Sequence, residues 1–74
     1  MDNAGELYRL IERINKERIK QGVSYRDLAE RCGYKREQMN QVAIVLSHKV
    51  TPRLDTLLKI MNALGLTLAI TLKE

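Results

Sequence analysis

The sequence predicts a mostly helical fold, four helices in one compact unit closed by a single terminal strand. Three observations lead there. Apolar residues recur at three- and four-residue spacing through most of the chain. Glycines stand where three of those periodic stretches end, at Gly22, Gly33 and Gly65. The last residues, "GLTLAITLKE", break the pattern: Leu66, Leu68, Ile70 and Leu72 alternate with Thr67, Ala69, Thr71 and Lys73, the period of a half-buried strand. No other stretch offers a comparable strand, so the partner of this one is expected outside the chain.

The first helix is read from "ELYRLIERINKERIKQ", where Leu7, Leu10, Ile11 and Ile14 form one face and Arg9, Arg13, Lys16 and Lys20 lie mostly on others. Gly22 ends it. In "SYRD", Ser24 is a helix cap with Asp27 three residues on, and Leu28, Ala29 and Cys32 make a short apolar face before Gly33 stops the second helix. The third helical stretch, "KREQMNQVAIVL", begins polar and ends apolar, with Met39, Val42, Ala43 and Leu46 on a shared face. After the loop "SHKVT", Thr51 and Pro52 read as the cap and first position of a fourth helix, whose apolar side carries Leu54, Leu57, Leu58, Met61 and Leu64. There is no internal repeat and no long linker.

A chain of 74 residues is one domain, and at this size folding buries only roughly 60% of the surface the unfolded chain exposes. Phe and Trp are absent and Cys32 is the single cysteine, so neither large aromatics nor an internal disulfide supplements the core. Association with a second copy is the remaining source of buried area. The opening Met-Asp-Asn carries no basic-then-apolar signal, and a lone thiol suits a reducing compartment; both predict a soluble, cytoplasmic protein. The net charge of +4, from 13 Lys plus Arg against 9 Asp plus Glu, permits a polyanionic partner without requiring one.

The chemistry-bearing stretch is "YRDLAERCGYKREQMNQV". Two short helices crossing steeply need apolar residues on their facing sides, a small residue where the backbones approach, and a residue that accepts positive φ in the turn. Leu28, Ala29, Cys32, Gly33, Tyr34, Met39 and Val42 supply these in order. That is a helix-turn-helix pattern. No paired carboxylates in an apolar setting, phosphate-cradling glycine loop or metal cluster accompanies it. Cys32 reads as a packed small hydrophobe, and His48 as a solvated loop residue or phosphate contact. No enzyme, no cofactor and no metal site is expected.

With these residues, the segment from "GVSYRDLAERCG" through the Met39 and Val42 spacing to "TPRLDTLLKIMNALG" resembles the Cro/repressor class of helix-turn-helix proteins, the Xre family with its lambda-repressor-like fold. The resemblance implies that the helix from about Lys35 enters the major groove of double-stranded DNA. Lys35 and Arg36 then suit guanine, Gln38, Asn40 or Gln41 suit adenine, and Glu37 accepts from cytosine or balances the cations. Ser24, Tyr25 and Arg26, at the start of the second helix, and Lys49 and Arg53, flanking the later loop, are the phosphate contacts it implies. The chain departs from the family at Tyr25, where a glutamine is usual, and in a longer stretch from Gly33 to Pro52, which predicts either an extended third helix or a remodelled loop.

Residues 1–65 are thus expected to form the DNA-binding domain, and residues 66–74 a dimerisation strand pairing with its copy in a two-stranded sheet through Leu66, Leu68, Ile70 and Leu72. A dimer presents two reading helices to half-sites one DNA turn apart. A small domain of this class with a terminal dimer strand is similar to antitoxins of the high-persistence type and to phage repressors of the Cro kind. The implied function is a homodimeric repressor on an inverted-repeat operator, with a toxin as a further partner in the antitoxin case. The alternative is a protein-interaction module that keeps the scaffold and docks a toxin or other protein through "AIVL" and the terminal strand.

Overall fold

The computed structural model describes residues 3–69. They form α1 (Asn3–Gln21), α2 (Tyr25–Arg31), a 3-10 turn (Arg36–Gln38), α3 (Gln41–Leu46) and α4 (Leu54–Ala63). Helix α2 packs on α3 and α4, and α1 packs on α3. Between them lies one apolar core of Ile11 and Ile14 from α1, Leu28 and Ala29 from α2, Val42, Val45 and Leu46 from α3, and Leu57, Ile60, Met61 and Leu64 from the last helix, with Val23 sealing the α1–α2 corner. No polar or charged side chain is buried among the described residues.

All four helices stop by the same device. A residue with positive φ follows the helix, and the next N–H reaches back to a carbonyl five residues earlier, satisfying groups the helix end leaves free. Gly22 (φ 70°), Gly33 (φ 81°) and Gly65 (φ 77°) serve α1, α2 and α4, with Val23 N–H on Arg18 O at 3.1 Å, Tyr34 N–H on Ala29 O at 3.1 Å and Leu66 N–H on Met61 O at 2.8 Å. Helix α3 has no glycine to use. There His48 takes φ 64° and Lys49 N–H bonds Ile44 O at 3.3 Å, so a side chain with a Cβ occupies a conformation that costs an ordinary residue roughly 1–2 kcal/mol.

Two predicted elements differ. The third stretch is neither one extended helix nor a plain loop: Lys35 is extended (φ −75°, ψ 165°), Gln38 N–H and Met39 N–H close 3-10 bonds on Lys35 O and Arg36 O, and the α-helix proper begins only where Ile44 N–H bonds Asn40 O at 3.0 Å. The cause is the distribution of apolar residues. Val42, Val45 and Leu46 draw α3 into the core, whereas residues 35–41 offer only the half-buried Met39. The fourth helix starts at Leu54, not at Pro52: Arg53 holds the extended capping conformation, and Asp55 Oδ1, not Thr51, accepts from Thr56 N–H at 2.9 Å. In that register Ile60 is fully buried and Leu54 is 60% exposed.

Of the predicted strand, residues 66–69 are described and have no regular secondary structure. Leu66 packs against the core and Leu68 is 48% exposed. Ile70 and Leu72, and with them most of the predicted pairing, lie outside the described residues.

Candidate nucleic-acid interface

The N-terminus of α2 is held from three sides. Ser24 Oγ accepts from Asp27 N–H at 3.0 Å, the predicted cap. Arg18, from the apolar side of α1, places its guanidinium 4.2 Å from the centroid of the Tyr25 ring and donates through Nη1 to Val23 O at 2.8 Å. Arg18 Nε also points to Asn15 Oδ1 at 3.4 Å, and Asn15 Nδ2 donates to Leu46 O at 2.7 Å. One polar chain therefore runs from the last carbonyl of α3, across α1, to the first residue of α2. It sets the two halves of the helix-turn-helix unit against a common support.

This accounts for Tyr25 standing where a glutamine is usual. The ring is half-buried beneath Arg18, so the first residue of α2 is fixed by a cation over an aromatic face. Neither Arg18 nor Asn15 was legible as a site residue, because their partners lie far along the chain. A weak signal existed: at 100° per residue Arg18 falls with Ile11 and Ile14, an odd place for an unpartnered cation.

In front of this support, Tyr25, Arg26 and Glu30 of α2 face Arg36, Met39 and Asn40 across an open cleft. Two predicted phosphate contacts, Tyr25 and Arg26, and two predicted base readers, Arg36 and Asn40, thus share one surface. Lys35, Glu37 and Gln41 are exposed beside it. Gln38 is exposed but partly engaged, its Oε1 accepting from Lys35 N–H at 3.3 Å, which leaves the amide N–H₂ to donate. The predicted readers Lys35 to Gln38 and Asn40 sit on the 3-10 turn and its flanks and Gln41 opens α3, whose Val42, Val45 and Leu46 are core.

The loop after α3 is pinned to α1. His48 stacks on Tyr8 with centroids 4.2 Å apart and planes 15° from parallel, and its Nε2 meets Glu12 Oε2 at 2.6 Å. His48 is therefore not the solvated residue expected from sequence; its carboxylate comes from a distant helix. The clamp presents exposed Lys49 at the rim of a hollow shared with Tyr8, Val50 and Thr51. Arg53 is exposed and pairs with Asp55 at 3.4 Å.

Elsewhere, Cys32 Sγ lies 3.8 Å from Lys59 O; burial pushes its thiol up, with the Lys59 charge opposing. Burial likewise pushes the Tyr34 phenol up, aided by Cys32 and Asp55 and opposed by a hydrogen bond with Thr56. The described residues contain no group of His, Cys, Asp and Glu able to hold a metal ion, and no helix long and apolar enough to cross a membrane.

No curated protein and no solved structure matched this chain. A family model described as the Cro/C1-type HTH DNA-binding domain matches residues 13–69, from the middle of α1 through the 3-10 turn to the end of the described chain. A match over that much of the sequence, on a fold that places the cleft between α2 and the turn before α3, makes this chain a member of the Cro/C1-type helix-turn-helix DNA-binding domain family.

Proposed function

We infer that the protein is a sequence-specific repressor that binds an inverted-repeat operator as a homodimer and acts by occupying DNA. The observation that carries this reading is the cleft in which Tyr25, Arg26, Arg36 and Asn40 meet, backed by the Arg18 support. Arg36 and Asn40 are the side chains best placed to read base edges, with Lys35, Glu37, Gln38 and Gln41 around them. Ser24, Tyr25 and Arg26 take phosphates at the start of α2, and Lys49 and Arg53 take them from the later loop. A duplex inserted here replaces water over an exposed basic rim and gains its affinity mainly from phosphate neutralisation.

Dimerisation is assigned to residues 66–74, as a strand that forms when a second copy supplies the other half. The alternation of the sequence and the exposure of Leu68 support it. An isolated terminal strand has no one to bond with, and an irregular 66–69 in a single chain is compatible with pairing on association. The protein-docking alternative draws less support, because Val45 and Leu46 of "AIVL" are buried and Ala43 and Ile44 are half-buried, which leaves it mainly the terminal segment. A toxin partner, as in antitoxins of similar layout, adds to the repressor reading and does not replace it.

The test is titration of the purified protein against DNA from just upstream of its own coding sequence, at two salt concentrations and with random competitor. Binding that survives competitor supports an autorepressor. Equal, salt-sensitive binding to both DNAs would refute sequence-specific reading.

A further inference from the structure

One side chain in the DNA cleft works against a polyanion. Of the acidic residues on α2 and the 3-10 turn, Asp27, Glu30 and Glu37, only Glu30 lines the cleft, on the same wall as Tyr25 and Arg26 and across from Arg36, Met39 and Asn40. It is exposed, and among the described residues its carboxylate makes no ion pair. Arg26 stands four residues before it on α2, the less favourable order for a helical pair. The backbone around it is settled without the side chain: Glu30 O accepts from Gly33 N–H at 3.0 Å as the helix ends.

Two guanidiniums, Arg26 and Arg36, on the walls of one open cleft would hold a phosphate of any sequence. Glu30 changes that. A phosphate at Arg26 is accommodated at the start of α2, but backbone carried one turn further along the helix meets a like charge. Arg36 is then left for an uncharged base edge, where its donors carry sequence information. We propose that Glu30 is a specificity-determining residue of the DNA interface: its charge keeps the sugar-phosphate backbone out of the cleft, and so lowers binding to non-operator DNA more than binding to the operator. The assignment rests on the repressor reading above. A solvated surface carboxylate would serve as well anywhere on α2; the place of this one, on a wall facing Arg36 and Asn40, is what distinguishes it from Asp27 and Glu37.

The test uses the full-length protein and two duplexes, one selected by the native protein from a random pool and one of random sequence, each titrated at several salt concentrations. The variants are Glu30→Gln, which keeps shape and helix preference but loses the charge, and Glu30→Asp, which keeps the charge. Glu17→Gln is the control: it changes net charge equally on α1, where Glu17 accepts from Gln21 Nε2 at 3.1 Å, outside the cleft. Glu30→Gln should tighten binding to the random duplex by roughly three- to tenfold, steepen its salt slope by about one phosphate, and change binding to the selected duplex by less than about twofold, so that the ratio between the two falls at least about threefold. Glu30→Asp should keep most of the native ratio, and melting curves should show every variant folded.

A native protein that selects no sequence would overturn the repressor reading and the role of Glu30 with it. Native selectivity combined with an unchanged ratio in Glu30→Gln, with an equal gain from Glu17→Gln, or with a Glu30→Asp variant that behaves as Glu30→Gln does, would leave the repressor reading standing and overturn the role of Glu30 alone.

Discussion

Replacing His48 tests how α3 is ended, and the informative comparison is between two replacements. His48 holds φ 64° and is anchored by Tyr8 and Glu12. Alanine removes the anchor and keeps the strained backbone; glycine removes both. The stack contributes about 0.5–1.5 kcal/mol, and the partly exposed contact to Glu12 about 0.2–1 kcal/mol, so His48→Ala should cost about 0.7–2.5 kcal/mol. Glycine recovers the ~1–2 kcal/mol of left-handed strain but loses about 0.4–1 kcal/mol to the freer unfolded chain. The net places His48→Gly about 0.5–1 kcal/mol above His48→Ala, with the native protein most stable. For a domain of this length each kcal/mol moves the melting temperature by about 4–8 °C. Thermal unfolding followed by circular dichroism resolves the order. In a helix interior glycine is the worse residue, so an alanine variant as stable as the glycine one would refute the claim that residue 48 is a strained helix stop.

Four further outcomes follow from the same geometry. Arg18→Met keeps the aliphatic stem but removes the bond to Val23 O and the contact with Tyr25; it should lower stability by about 1–3 kcal/mol and weaken DNA binding, with a double-mutant cycle against Tyr25→Leu giving a coupling near 0.5–1 kcal/mol. Arg36→Ala should reduce operator binding far more than random binding, whereas Lys49→Ala should weaken both and lower the salt slope by about one unit; identical effects on both DNAs would rule out reading by the turn before α3. Cys32 and Tyr34 both hold their protons more tightly when folded, because burial disfavours their anions. Their contribution is therefore complete below the ordinary thiol value of 9.0 and falls as pH rises past it and then past the phenol value of 10.0, so urea midpoints should drop on the alkaline side and Cys32→Ala should delay the onset. Removing residues 66–74 should convert a dimer into a monomer with weak operator binding, as read by sedimentation; a fully active monomer would exclude the strand as the dimer contact.

Much of the scaffold was legible because its determinants are local. Gly22, Gly33 and Gly65 mark helix ends through a backbone preference that acts within a few residues, and Ser24 caps α2 through a bond three residues long. The apolar spacing likewise located Ile11, Ile14, Leu28, Val42, Leu57 and Met61 in the core. What escaped was set by distant contacts. The stop at His48 depends on Tyr8 and Glu12, roughly forty residues earlier, and the support of Tyr25 depends on a helix that precedes the motif. The third stretch was misjudged for a different reason: "KREQMNQ" is compatible with a helix by propensity, but with only Met39 to bury it gains nothing from completing one, and the tighter turn prevails.

The matched family segment begins at residue 13, while Tyr8 and Glu12, which hold His48, lie ahead of it. A fragment trimmed to the recognisable homology would retain every helix-turn-helix residue yet release the loop that carries Lys49, leaving a left-handed histidine with nothing to compensate its backbone. Tyr8 and Glu12 thus contribute to the loop after α3 from outside the stretch that the family match covers. Anyone transplanting the domain into a fusion should cut before the start of α1, not at the edge of the similarity.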